Sequence, residues 1–434
     1  MTRFMAENRG KGAIPKMSGS YIAHFMSSAI MILPFLLAVS WLSYSESDYS
    51  FKQDEFRIEI AYILTSLISL GWMMSMIMGI TFDLFPITHN SNAYNETHST
   101  HYLLINIVGQ LLIIVGIFTN DITLLMDFST VGLVLLCWGV GTIAWPSWKL
   151  HKNSIEENIN CGGSGLIPAL LIPITAFIIL ICWIFRSTEG MLEFGLAFNI
   201  IVMMGSISLT QILIHFNRRL NWGIIKFKKF RNLIALYLGL AIIHSFASMW
   251  YARGDISWTI LSYSLAAPLL WGFISTKPFA TLKNVLGKSS MPHSRIIWAA
   301  QWFFLVTAIM AIIPDFDSAK FYNIVYVSLI FSCTVLSTWG FGIYLHYDHL
   351  HKSIHNRPSL WPVLICTTIG ILSLFFIGFK ITLFGDQSDL VYFFIRSTSL
   401  GVLIIYVFIH LVRDIFFSMD TWHRIPMSYE RYIE

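Results

Sequence analysis

The stretch "IAYILTSLISLGWMMSMIMGITFDLFPITH", residues 60–89, decides the fold class. About 20 consecutive apolar residues let a helix cross the hydrocarbon core of a bilayer. This run is long enough, contains no lysine or arginine, carries small residues near its centre and ends in polar residues. We predict a transmembrane helix over this stretch.

The whole composition agrees with a membrane location. The chain of 434 residues is 56% hydrophobic and only 12% charged, whereas soluble domains carry roughly a quarter charged residues. The net charge of +4 is small, so nucleic acid is not an expected partner. The five cysteines form no CxxC pair, which argues against a zinc or redox motif. The sequence predicts an all-α, polytopic membrane protein surrounded by the lipid bilayer.

Apolar stretches near spanning length predict about twelve transmembrane helices in a single domain over residues 1–434. The polar residues Asp121, Asp127 and Ser129 are expected to break the fourth helix. The twelve stretches lie at about 21–43, 57–87, 102–119, 124–147, 165–185, 191–216, 232–251, 256–275, 295–313, 321–347, 359–384 and 390–418.

The basic residues orient these helices. If the N-terminus is cytoplasmic, 21 of the 28 lysines and arginines fall on the inner side, which is the bias that cytoplasmic loops show. The densest group is "HFNRRLNWGIIKFKKFR" (215–231), between the sixth and seventh helices. We therefore predict an integral, multi-pass protein of the cell membrane with both termini in the cytoplasm.

Three long predicted helices share one sequence pattern, with small residues at the centre and polar residues at the end. Besides residues 60–89, these are "LAFNIIVMMGSISLTQILIHFN" (196–217) and "IVYVSLIFSCTVLSTWGFGIYLHYDH" (324–349). Their starts near residues 57, 191 and 321 differ by 134 and 130 positions, which suggests three parallel repeats of four helices over 21–150, 164–275 and 294–418. Gly79, Gly205 and Gly340 are expected to let neighbouring helices approach closely.

Long second, sixth and tenth helices resemble those of subunit I of the heme-copper oxidases and of the related NnrS-like membrane proteins. The segment "LGWMMSMIMGITFDLFP" (70–86) is similar in texture to helix two or ten of divergent members. The resemblance implies a respiratory-chain role and histidines that hold heme and copper on helices two, six, seven and ten.

The expected ligand positions lack histidine, however. The outer halves of helices two, six and ten carry instead Glu59 and Tyr62, Glu193 and Asn199, and Tyr326 and Ser328. A copper centre needs about three imidazoles. Oxygen reduction is therefore not expected, and the resemblance implies a degenerate metal centre with an accessory or metal-related role.

His244, in "LAIIHSFASMWY" (240–251), lies where the family's seventh helix carries histidines. The resemblance allows it to bind heme or copper, but a hydrogen-bonded interior residue is the favoured interpretation, because a polar side chain within a span needs a partner.

Charged residues within the apolar spans form a second group of candidates: Glu59, Glu193, Arg396 and Asp83. An unpaired guanidinium there is costly, so Arg396 is expected to have a carboxylate partner. The group is interpreted either as structural ion pairs and interface-solvated charges or as a polar vestibule and path for a proton, an ion or a small anion.

Histidines cluster in two segments predicted on the cytoplasmic side, "THNSNAYNETHSTH" (88–101) and "YLHYDHLHKSIH" (344–355). Spacings of three and four place pairs of imidazoles on one helical face, a pattern that can bind zinc or copper. Proton buffering and the absence of any special role are the alternatives, and the last is favoured. The seven candidates are His89, His98, His101, His346, His349, His351 and His355.

Two further functions stay open. A secondary transporter of a small solute or ion also fits twelve helices with both ends inside, although a two-fold repeat would be expected there. A structural subunit of a membrane complex would use tryptophans such as Trp72, Trp138, Trp250 and Trp302 to contact lipid or other membrane subunits.

Overall fold

The computed structural model describes residues 54–75, 77–78, 96–119, 121–156, 170–219, 227–286 and 292–312, with single positions at 365, 369, 372, 395 and 405. These parts of the chain are helical and contain no strand, as the sequence predicts. The spans predicted at 21–43, 321–347, 359–384 and 390–418, and the third repeat beyond residue 312, lie essentially outside the described residues.

Ten α-helices and two π-helical segments have defined bounds in the described ranges; residues 74–75, 77–78 and 170–171 are helical as well. In chain order they are α1 (Asp54–Ser66), the first π segment (Leu67–Met73), α2 (Glu96–Phe118), α3 (Ile122–Glu156), α4 (Ile172–Ile184), α5 (Met191–Ala197), the second π segment (Phe198–Gly205), α6 (Ser206–Arg219), α7 (Phe227–Ala252), α8 (Trp258–Thr276), α9 (Pro278–Leu286) and α10 (Pro292–Ile312). We call α1 with the first π segment the first central helix, and α5, the second π segment and α6 together the second central helix.

Six helical stretches in the described ranges are long and apolar enough to cross a membrane: Thr100–Phe118, Thr123–Lys149, Met191–Leu213, Asn232–Ala252, Trp258–Thr276 and Arg295–Ile312. Each coincides within a few residues with a predicted span. Two shorter apolar helices, Ile58–Met73 and Ile172–Ile184, match two more. By length and composition the chain is a multi-pass membrane protein.

The fourth predicted span is continuous, contrary to the expected break. Helix α3 runs through Asp127 and Ser129 without interruption. Asp121 precedes this helix and accepts hydrogen bonds at Oδ1 from the amides of Thr123 (2.8 Å) and Leu124 (3.3 Å). It therefore caps the first turn, where free amides need an acceptor.

The second central helix forms the middle of the bundle. Residues 195–213 of its span Met191–Leu213 are all buried, whereas the other five candidate spans keep a third to two-thirds of their residues buried. Helices α1, α4, α7 and α10 pack against it, while α2 pairs with α3 and α7 with α8. Trp138 and Trp250 are exposed, and Trp72 is buried.

Side-chain contacts join three segments at one end of the bundle. The Arg253 Nε donates to the Glu189 carbonyl oxygen (3.1 Å) and links the turn after α7 to the turn before α5. Arg186, after α4, approaches Glu59 near the start of the first central helix. The sequence predicts all three segments on the same side of the membrane.

Candidate functional site

Both central helices widen into a π-helical segment at corresponding places. Leu67 and Phe198, the first residues of the two segments, are 131 positions apart. π-helical turns lose the regular α-helical pairing and are frequent at functional sites. Every residue of both segments is buried, so their backbone groups need partners within the protein.

The next helix in the chain supplies a hydrogen-bond donor to each π segment. Asn106 Nδ2, on α2, donates to the Leu70 carbonyl oxygen (3.0 Å). The Tyr237 hydroxyl, on α7, donates to the Ile201 carbonyl oxygen (3.0 Å). Leu70 and Ile201 are 131 positions apart, as are Asn106 and Tyr237. In both cases a side chain of the following helix therefore donates to a carbonyl group of the π segment, at equivalent positions in the sequence.

A glycine makes room for each donor helix. A Cβ atom at Gly205 would lie 2.0 Å from the Tyr237 hydroxyl oxygen, and one at Gly71 would lie 2.7 Å from Cγ of Gln110. The sequence predicts the close approach at Gly205 but misses Gly71. Gly79 and Gly340 lie outside the described residues.

The two central helices meet through polar side chains. Asn199 Nδ2, in the second π segment, donates to Ser66 Oγ, at the end of α1, over 3.3 Å. Ser66 is fully buried and Asn199 is 1% exposed. Asn199 lies eight residues after Met191, or about 12 Å along the axis at 1.5 Å per residue. This length is close to half the thickness of a hydrocarbon core of roughly 30 Å. We call Ser66 and Asn199 the polar junction.

One oxygen atom of the polar junction accepts no hydrogen bond from the described residues. Asn199 Oδ1 is buried and has no hydrogen-bond partner among the described residues. Burying an amide group without a partner costs about 1–3 kcal/mol in proteins. An unsatisfied acceptor in the middle of a membrane bundle is therefore a place where water or a small polar ligand gains stability.

A buried amide chain adjoins the first π segment. Gln110 Nε2 donates to Asn106 Oδ1, and Asn106 Nδ2 also reaches the Tyr102 hydroxyl oxygen at 3.2 Å. All three side chains are on α2 and buried. These residues are not among the candidates predicted above, although the two amides four residues apart in the apolar run "LLINIVGQLLII" (103–114) indicate such a chain.

Carboxylates lie where the two central helices begin. Glu59 Oε1 is 3.8 Å from Arg186 Nε, with side chains 22% and 34% exposed. Arg186 also lies 4.9 Å from the ring centroid of Trp183, as a cation–π pair. Glu193 is half-buried in the first turn of α5. Arg186 is not among the predicted partners of Glu59, because it lies just after the predicted span 165–185 and only charges within the spans are candidates.

His244 is a fully buried residue on α7 that serine hydroxyls surround. Its Nδ1 lies 2.9 Å from Ser264 Oγ on α8, and its Nε2 lies 3.5 Å from Ser248 Oγ. The Ser264 hydroxyl donates to the Leu261 carbonyl, so Nδ1–H of a neutral imidazole is the donor to Ser264. This geometry favours the hydrogen-bonded interior residue, and ligation of heme by His244 stays a prediction.

The described residues do not fit a copper or zinc centre. Within the described ranges, no group of three or more histidine, cysteine, aspartate or glutamate residues is arranged to hold a metal ion. His98 and His101 are exposed in the first two turns of α2, where the positive end of the helix dipole disfavours a cation. His89, His346, His349, His351 and His355 lie outside the described residues, so the shared histidine patch stays a prediction.

Three other predicted polar residues, Asp83, Tyr326 and Arg396, also lie outside the described residues. No family model, curated protein or solved structure matches the chain. Function therefore has to be inferred from the polar junction, the π segments and the charges near them.

Proposed function

We propose that the protein is a membrane transport protein that passes a small monovalent cation, with the proton included, between its two central helices. The observation that carries the proposal is the polar junction, where Asn199 Oδ1 faces the bundle interior without a partner among the described residues. Transport proteins of the bilayer typically bind their solute near the midplane, at interrupted helices where repeated units meet.

The charges near the junction favour a cation. Residues 58–78 and 191–217 contain no lysine or arginine, and their only carboxylates are Glu193 and Glu59, which Arg186 approaches from outside these ranges. Both carboxylates precede the junction on the same side of the bundle. Amide and hydroxyl oxygens, such as those of Asn199 and Ser66, are neutral ligands that replace water around a small cation without trapping it by a full charge.

Flux through purified protein in proteoliposomes tests the proposal. We would impose a membrane potential and follow protons, Na⁺ and K⁺ in separate vesicles with ion-sensitive dyes. The wild-type protein should carry at least one of these cations faster than protein-free vesicles do. Asn199→Leu and Ser66→Ala should slow that flux at least tenfold.

Ser262→Ala is the matched control. Ser262 is also a buried serine that bonds within its own helix, to the Trp258 carbonyl (2.9 Å), but it lies on α8 away from the junction. Its flux should equal that of the wild type. Absence of flux for all three cations, or equal flux in the junction variants and the control, would contradict the proposal.

A second candidate is a protein of the heme-copper type with a degenerate metal centre, which keeps a heme or metal ion through His244. The common offset of 131 positions between the two π segments, and between their donors Asn106 and Tyr237, supports two of the parallel four-helix repeats that the sequence predicts for this chain. The visible spectrum and metal content of the purified protein test it. A Soret band or stoichiometric copper would favour a cofactor-binding relative over a cation transporter.

A further inference from the structure

Two helices that pack together, α8 and α10, each bury a polar side chain that has no hydrogen-bond partner among the described residues. Gln301, on α10, is fully buried, and both its Nε2 and its Oε1 are unpaired in this sense. Ser275, on α8, is 6% exposed, and its Oγ is in the same situation. Burying polar groups without a partner is unfavourable, so these two side chains are candidates for binding a ligand.

Ser275 differs from the other buried hydroxyl groups of α8. Ser262 Oγ donates to the Trp258 carbonyl oxygen (2.9 Å), and Thr276 Oγ1 donates to the Phe273 carbonyl oxygen (2.8 Å). Serine and threonine in a helix commonly satisfy their hydroxyl group on their own backbone in this way. Ser275 forms no such bond within the described ranges, so its hydroxyl group is available to a ligand.

Two contacts fix the register of α8 against α10. Within the two spans, a Cβ atom at Gly272 would lie 3.1 Å from Cδ1 of Phe304. Just after the end of α8, the Pro278 carbonyl oxygen accepts a hydrogen bond from Trp298 Nε1 (3.0 Å). The residue numbers rise along α8 and fall along α10 from the first contact to the second, so the two helices are antiparallel.

The two unpaired side chains lie midway between these contacts. Ser275 is three residues from either contact position on its own side, and so is Gln301. Three residues correspond to a rise of about 4.5 Å along a helix, so Ser275 and Gln301 lie at the same level where α8 meets α10. Ser275 is also the second-last residue of the span Trp258–Thr276, and the exposed Lys277 follows it. This level is therefore close to a membrane surface, where water is available.

The hydrogen-bonding groups at this level favour a neutral ligand. The Gln301 amide carries both a donor and an acceptor, and the Ser275 hydroxyl group can act as either. An ion of either sign would therefore face one amide group of the wrong polarity. Water donates and accepts hydrogen bonds, and a buried water molecule typically makes about three of them with otherwise unpaired groups.

We propose that Gln301 and Ser275 bind a buried water molecule that bridges α8 and α10. The water bonds to the amide of Gln301 and to the hydroxyl group of Ser275, and it satisfies both side chains at once. This site is separate from the polar junction on the two central helices and does not depend on cation transport.

Water-edited solid-state NMR of the full chain in lipid bilayers tests this site. Magnetisation passes from water protons to the Nε2 atoms of ¹⁵N-labelled glutamines, and the rate of transfer falls steeply with distance. The chain has five glutamines; Gln301 alone follows an alanine, and Gln110 alone follows a glycine. Labelling these residue pairs assigns both side chains in the wild-type protein, so the comparison requires no variant.

Gln110 is the matched control within the same molecule. It is also a buried glutamine, at 1% exposed, but its Nε2 donates to Asn106 Oδ1. Gln301 Nε2 should receive magnetisation from water at least about threefold faster than Gln110 Nε2, because a hydrogen-bonded water lies only about 3 Å from the nitrogen. Equal transfer rates for the two glutamines would overturn the proposal.

Two serine variants test whether the water bridges the helices. Ser275→Ala should lower the transfer rate into Gln301 by at least about a third, since the water loses one of about three hydrogen bonds. Ser262→Ala removes a buried hydroxyl group of the same helix that bonds to its own backbone, and it should leave the rate unchanged. Equal rates in the two variants would also overturn the proposal, because Ser275 would then have no part in the site.

Discussion

Replacing Gly205 by alanine tests how the second π segment is held in place. A Cβ atom there would sit 2.0 Å from the Tyr237 hydroxyl oxygen, whereas ordinary contacts begin near 3.4 Å. The hydroxyl must therefore retreat by about 1.4 Å. Tyr237 is fully buried with its ring edge-on to Phe304 at 6.4 Å, so the ring has little space into which to move.

The retreat has two energetic consequences. Forcing a methyl group into a packed interior costs about 1–3 kcal/mol. Loss of the 3.0 Å hydrogen bond leaves the Ile201 carbonyl buried without its donor, which costs about 1–3 kcal/mol more. Gly205→Ala should therefore lower the free energy of unfolding by about 2–6 kcal/mol.

Unfolding of the purified protein by SDS titration in mixed micelles measures this loss. Gly239→Ala is the matched control, because it lies on α7 two residues from Tyr237 and a Cβ there meets nothing within 4 Å; it should leave stability unchanged or raise it by up to about 1 kcal/mol. When Tyr237 is first replaced by phenylalanine, Gly205→Ala should lower the free energy of unfolding by at least about 1 kcal/mol less than it does in the wild type, because the obstructing hydroxyl is gone. Equal stabilities of Gly205→Ala and Gly239→Ala would refute this packing argument.

Three further predictions concern the polar groups around the central helices. Asn106→Leu should cost about 1–3 kcal/mol in SDS titration, because the Leu70 carbonyl loses its side-chain donor; an unchanged midpoint would contradict that role. Glu59→Gln should change stability by less than about 1 kcal/mol, since its pairing with Arg186 at 3.8 Å is partly exposed; a larger loss would show a desolvated pair. His244→Ala should cost about 2–4 kcal/mol through a cavity and the loss of the hydrogen bond between His244 Nδ1 and Ser264 Oγ, while metal content by mass spectrometry stays that of the wild type; loss of bound iron or copper would instead assign His244 as a ligand.

Periodicity and hydropathy were sufficient to predict the spanning helices of the described ranges, because a bilayer imposes length and apolarity on each one. The same rule led to a wrong prediction for α3, which is continuous where a break was expected. Asp121 acts as a cap just before the helix, and an exposed Asp127 near the helix start is tolerated. A polarity average does not distinguish a cap from an interruption.

The polar site was less accessible to sequence reasoning. The resemblance to metal-binding helices directs attention to histidines, so it assigns no role to Asn199. π-helical turns have no local residue signature that hydropathy detects, so the roles of Gly71 and Tyr237 depend on tertiary packing. The predicted repeat spacing of 130 to 134 positions is close to the offset of 131 positions between the two π segments, and the repeats themselves stay a prediction.

The most direct test of the account is the initial rate of cation flux through Asn199→Leu in proteoliposomes, compared with Ser262→Ala at equal protein content. Both variants should elute as folded monomers with the wild-type profile after reconstitution and re-extraction. The account predicts a rate at least tenfold lower for Asn199→Leu and a wild-type rate for Ser262→Ala. Equal rates in the two variants would show that cations do not pass the polar junction and would contradict the account.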